Sequence, residues 1–166
     1  MGMERRIALL LVVLVITLGV RFLIREGAVP AIQPVTSPFF AVYFASSQEV
    51  LLVPELYPGE PTMADAAAYL LRGPSGSHLL PVLPEGTIIY DYSLVDTVCY
   101  VNFSQHLVAD HPGGSASELI TVYGIVNTFA AASGAEAVQI LVEGQPIETI
   151  AGHVYTGKPL TPDYSL

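Results

Sequence analysis

Fourteen consecutive apolar or near-apolar residues, Ile7 to Val20, stand between Arg5-Arg6 and Arg21, and no other feature constrains the chain as much. With Phe22 to Ile24 the run reaches 18 residues, Arg21 included. A bilayer span takes about 20 residues, and a terminal arginine can snorkel to the headgroups, so a single-pass helix is feasible. Cations before the run favour a cytoplasmic N-terminus and export of the residues beyond it. Arg21 and Arg25 weaken that asymmetry. A cleaved signal peptide is the competing reading, since its apolar region has this length, but Arg-Phe-Leu-Ile-Arg-Glu-Gly is not a small-residue cleavage site. A buried core helix is the third. The expectation is an uncleaved anchor, with a cytoplasmic tip and transmembrane segment over residues 1–26 and the domain outside the cytoplasm at the cell membrane.

The charge beyond the run narrows the partners. Arg72 and Lys158 are the only basic residues after residue 27, against thirteen acids, a net of −11. Nucleic acid is excluded, because phosphate binding needs clustered Lys and Arg, and anionic lipid headgroups are disfavoured for the same reason. A cationic partner or divalent ions suit such a surface better. Cys99 is the single cysteine, so the domain stands without an internal disulfide.

Residues 27–37 carry prolines and no charge, and read as an extended tether. After it, Phe39 to Ala45 and Glu49 to Leu56 form a hairpin-like pair of strands. Thr62 with Asp65 starts a helix that Gly73 and Pro74 stop. Strands come next over Ile88 to Leu94 and Thr97 to Phe103 around a Val95-Asp96 turn, with Cys99 facing the core. Gln105 to Gly114 is an irregular loop. Ser115 and Glu118 match a capping box, and Leu119, Val122, Ile125, Val126 and Phe129 mark one apolar stripe of a second helix. A last strand runs from Ala137 to Glu143. The order β-β-α-β-β-α-β predicts an α/β (α+β) fold, one compact domain over 38–157 with one mixed sheet and both helices on one side, and a tail at 158–166.

No catalytic constellation emerges. His106, Asp110 and His111 are the one cluster with metal-ligand content, but the two histidines lie five residues apart on a loop rather than at helical ligand spacing. Cys99 on an alternating strand is core rather than nucleophile, and no Gly-x-Ser-x-Gly elbow exists. The chain reads as a non-enzyme without cofactor or metal. Asn127 and Thr128 are poor helix formers inside the second helix and need a reason to be there: a hydrogen bond to a neighbouring segment, or contact with a ligand or partner.

Six segments together resemble a known family. They are Phe40 to Phe44, Tyr69-Leu70-Leu71-Arg72-Gly73-Pro74, Leu83-Pro84-Glu85-Gly86-Thr87, Val101-Asn102-Phe103-Ser104, Ile125-Val126-Asn127-Thr128-Phe129 and Val138 to Gly144. In this order they look like the GerMN domain of the spore germination protein GerM family, whose form includes Leu-Pro-x-Gly-Thr, Val-Asp-Leu-Ser and Ile-Val-Asn-Thr-Leu. The chain departs in having Asn102 where an acid is usual, one domain copy where GerM has two, and no lipoprotein cysteine. The resemblance implies an extracytoplasmic, non-enzymatic module of the bacterial envelope, similar to ring-building domains of sporulation channels. Its partners would be a second copy, envelope or sporulation channel proteins, or a peptidoglycan fragment. Asn127, Thr128, Asn102, His106 and His111 are the candidate contact residues.

Overall fold

The structure is a computed structural model that describes Gly2, Met3 and residues 38–166. The anchor expected over residues 7–24 and the tether lie outside the described residues, and no helix among the described residues is long and apolar enough to cross a membrane.

The chain runs β1 (Phe39–Ser46), β2 (Leu52–Pro58), α1 (Met63–Arg72), β3 (Leu79–Leu80), β4 (Ile89–Val95), β5 (Val98–Phe103), α2 (His106–Ala109), α3 (Ser115–Ser133), β6 (Ala137–Val142) and β7 (Gln145–Pro146). The seven expected elements occur in the expected order. The two-residue strands and the one-turn helix α2 are too short to leave a periodic signal.

The expected single sheet is instead two: β2-β1-β3, and β4-β5-β6-β7 with only β5 and β6 parallel. The cause is α3. β1 pairs with β2 from Phe39 to Ala45, but on its other side β3 takes only Ala45 and Ser46. At Tyr43 that other side is answered by a helix, because the backbone N–H of Tyr43 donates to Thr128 Oγ1 of α3 at 2.9 Å. A helix at the edge of β1 ends the sheet there. Pro54, opposite Tyr43, has no N–H to give, and its N points away from β1, where an edge strand can do without a donor. Thus a strand with two prolines still pairs fully.

α3 is also not the one-sided helix that its Leu119–Phe129 stripe predicts. Twelve of its nineteen residues are buried, so it packs all round rather than along one face. Val122, Ile125, Val126 and Phe129 join Phe44, Phe103, Leu70 and Ile140 in the core. Gly124 permits the closest approach: a Cβ there would stand 2.9 Å from Val82 Cγ1.

Local starts and stops are set by the side chains. Thr62 Oγ1 accepts from the Asp65 N–H at 3.0 Å and caps α1, and Gly73 ends it at φ 80°. The hairpin turn between β4 and β5 sits one residue later than expected, because Asp96 takes φ 54°, which a β-branched Val95 would resist. The capping box expected at α3 does not form: Gly114 is the N-cap, no side chain caps the helix, and Glu118 points elsewhere.

Candidate functional site

The amino end of α3 is where loops from three parts of the chain meet. Gly113 and Gly114 take φ 79° and 85°, which turns the chain sharply out of the segment behind His111 and into the helix. His111 braces this turn. Its Nδ1 accepts the Gly113 N–H at 3.0 Å, and its Nε2 lies 3.1 Å from Thr121 Oγ1, which donates to the Val82 carbonyl at 2.9 Å. That polarity requires a neutral imidazole with the proton on Nε2. Burial, which disfavours the imidazolium, holds His111 below the usual histidine range, against the opposing charge of Glu118.

Glu118 is fully buried, one turn into α3. Oε1 accepts the N–H groups of Ile150 and Ala151 at 2.9 and 2.7 Å, and Oε2 accepts that of His153 at 2.7 Å, with the His153 ring Nδ1 at 3.2 Å. Burial pushes its carboxyl up, but the Ala151, His153 and Ile150 amides outweigh that and hold it below the usual range. A buried charge this well met by donors is a structural anchor for residues 150–153. The sequence did contain the signal: Glu118 falls on the same helical stripe as Val122, Ile125 and Phe129, where an acid must find partners inside.

Between the β1–β2 turn, the segment 80–85 and the first two turns of α3 lies an open cleft of about 530 Å³. That volume lies within the range of ligand sites. Val82, Leu83 and Ile120 make its buried floor, while Val50 and Leu80 stand at the mouth, 65% and 50% exposed. Glu49, Glu85 and Asp110 line the same cleft, all solvent-exposed.

The residues expected to contact a ligand do not converge on it. Asn127 is fully buried and grips a later stretch of its own chain: Nδ2 donates to the Asp163 carbonyl at 2.7 Å, and Oδ1 accepts the Asp163 N–H at 2.9 Å. Thr128, also buried, serves β1. Asn102 bridges β4 to the β6–β7 turn, donating to Asp91 Oδ2 at 2.9 Å and accepting the Gly144 N–H at 2.7 Å. His106 is exposed, with its ring against Gly86, where a Cβ would lie 3.3 Å from Cδ2. Only His111 belongs to the cleft region, through Thr121 and its neighbour Pro112. No three His, Cys, Asp or Glu residues converge as a metal site among the described residues. Cys99 is buried, and its thiol is pushed up by that burial, opposite to what a nucleophile needs.

The shared motifs turn out to be brackets of the fold. In Pro84-Glu85-Gly86-Thr87 the Thr87 N–H and hydroxyl both return to the Pro84 carbonyl, and Gly86 takes φ 80°. Ser104 exchanges hydrogen bonds with the Ile88 backbone through its own N–H and its hydroxyl. Glu143 and Gly144 take φ 51° and 77° in the turn after β6.

Comparison with known proteins agrees with this architecture. A crystal structure of a candidate lipoprotein from Clostridium perfringens superposes with a TM-score of 0.55 at 20% identity, covering 75% of this chain and 87% of that one. The first GerMN domain of the sporulation protein GerM from Bacillus subtilis gives a TM-score of 0.57 at 17% identity, over 76% of this chain and 96% of the domain. Against the tandem GerMN domains of the same protein the TM-score is also 0.57, and the match spans 46% of that chain. At these identities the likeness is one of fold. No curated protein is similar enough to match. The family model described as Germane, sporulation and spore germination, matches residues 41–148, most of the described domain. The chain therefore belongs to the sporulation and spore germination family, and its domain has the GerMN fold.

Proposed function

We propose that the protein is a membrane-anchored, extracytoplasmic GerMN-domain protein that serves sporulation or spore germination as a non-catalytic interaction and assembly module of the cell envelope. Anchorage rests on the apolar run over residues 7–24 between arginines, and the likeness to a candidate lipoprotein supports a place at the membrane. The observation that carries the interaction reading is β4. It is a seven-residue edge strand with β5 on one side only, and Ile88, Tyr90, Leu94 and Val95 around it are 43–53% exposed. An unpaired apolar edge of this length is a pairing surface that chains ordinarily cover or blunt. The groups best suited to chemistry, Glu118, His111 and Cys99, are meanwhile engaged in holding the fold.

Cross-linking of the full chain in intact cells tests this. Adducts heavier than the monomer are expected, and they should weaken when Tyr90→Lys and Leu94→Lys charge the β4 edge. Recovery of monomer alone would overturn the reading. A second reading, a binding module for a small ligand or wall fragment near Gln105–Gly114, is favoured by the cleft that Asp110 and Pro112 help to line. Saturable binding of a soluble muropeptide, lost on replacing that loop, would establish it instead.

A further inference from the structure

The cleft beside α3 combines two properties that together select its occupant. Its floor is apolar, and Val50 and Leu80 leave the mouth greasy as well. Around that surface stand three carboxylates from separate segments: Glu49 from the β1–β2 turn, Glu85 from the turn before β4, and Asp110 from the end of α2. None of the three makes a salt bridge or a side-chain hydrogen bond among the described residues. No Lys or Arg among the described residues lines the cleft. The protein therefore presents an apolar pocket in a negative field that its own described cations do not neutralise.

We propose that this cleft docks an exposed segment of a partner protein in which one or two large apolar side chains lie between Lys or Arg residues; this rests on the interaction reading above and names the partner's chemistry. Apolar side chains fill the floor over Val82 and Ile120, and the flanking cations meet Glu49, Glu85 and Asp110. About 530 Å³ takes two or three side chains, a short segment rather than a domain face. A second copy of this domain does not supply the complement, because beyond residue 27 it offers only Arg72 and Lys158, far apart in sequence, against thirteen acids. Anionic lipid and anionic wall polymer are repelled by the same charge. The walls are pre-set: the His111–Thr121–Val82 hydrogen bonds tie the turn before α3 to the floor, and Gly124 lets the 82 segment seat against the helix. Such preorganisation lowers the ordering cost of docking.

The test uses the full chain in detergent and a fluorescent peptide that alternates Lys or Arg with Leu or Phe. Saturable binding is expected, weakening as salt rises from about 0.05 M to about 0.5 M. The triple variant Glu49→Gln, Glu85→Gln, Asp110→Asn should weaken it about tenfold or more. Ala116→Trp, at an exposed cleft-lining position, should block it through volume alone, with far-ultraviolet circular dichroism confirming the fold. A control triple at exposed acids outside the cleft, Glu60→Gln, Glu136→Gln, Glu148→Gln, should change affinity less than about twofold. Equal losses in both triples, or full binding by Ala116→Trp, would mean diffuse charge attraction and would overturn the site. Displacement of the peptide by a muropeptide would reassign the cleft to a wall ligand. Failure of the peptide to bind the wild type while its cellular cross-links remain would sink the docking proposal and leave the interaction reading standing; recovery of monomer alone from wild-type cells would sink the interaction reading itself.

Discussion

Replacing Glu118 is the sharpest perturbation the structure offers, because one side chain satisfies three backbone N–H groups from inside the core. Glu118→Ala leaves the donors of Ile150, Ala151 and His153 without a partner. A hydrogen bond to a charged acceptor is worth about 1.5–3 kcal/mol, and an orphaned buried donor costs about 1–3 kcal/mol. Part of the segment 150–153 can swing out to water, which caps the sum, so a loss of about 3–5 kcal/mol is expected, near that of breaking a buried ionic anchor. For a domain of this size that lowers Tm by about 10 °C or more. Glu118→Gln keeps the shape but sets an NH2 group against at least one N–H donor, and should cost about 2–3 kcal/mol. The sign of the pH effect comes from the depressed carboxyl. Its stabilisation is complete above the ordinary glutamate value of 4.5 and is lost as pH falls through the lower folded value. Thermal melts tracked by circular dichroism from pH 7 to pH 3 should therefore show the wild type and Glu118→Gln converging in acid. A Glu118→Ala protein within about 0.5 kcal/mol of wild type at pH 7, or parallel pH profiles for wild type and Glu118→Gln, would refute the anchor.

Three further outcomes rest on single contacts. Asn127→Ala removes both bonds to Asp163 and should cost about 2–4 kcal/mol, with faster amide exchange at Asp163 as the local signature; Asn127→Asp should be no better, since its carboxylate would face the Asp163 carbonyl. Gly124→Ala drives a methyl into stiff Val82 and should cost about 1–3 kcal/mol by chemical denaturation, with Val82→Ala in the same chain restoring part of it. His111 contributes stability that is complete above its ordinary 6.5 and is lost as pH falls toward and through its lowered folded value. His111→Gln should therefore flatten the stability profile between about pH 6.5 and pH 5, and an unchanged profile by urea denaturation would refute the neutral relay to Thr121.

Much of the domain was legible because its signals are local. Thr62 and Asp65 mark the start of α1, Gly73 marks its end, and the alternation around Cys99 and Val101 marks β5. What local pattern could not show was which elements share a sheet. That was decided by Thr128 reaching Tyr43 across 85 positions, a contact without periodicity. The same holds for Glu118: read with Ser115 it is a capping box, and only the loop at 150–153, which has no pattern of its own, shows what it holds. Asn127 and Thr128 stood out as residues that needed partners, yet whether those lay inside or outside the chain depended on where residue 163 returns. The cleft was least legible, since Glu49, Glu85 and Asp110 come from three turns, each of which reads alone as ordinary solvated acid.

The grip of Asn127 on Asp163 has a consequence for how the chain is made. Synthesis delivers the middle of α3 well before Asp163, so through that interval the Asn127 amide lacks the partner it has in the finished domain. The same delay reaches β6, where Val138 exchanges backbone hydrogen bonds with Leu160. The contacts that residues 160 and 163 make with β6 and α3 are thus among the last the chain can form as it is made.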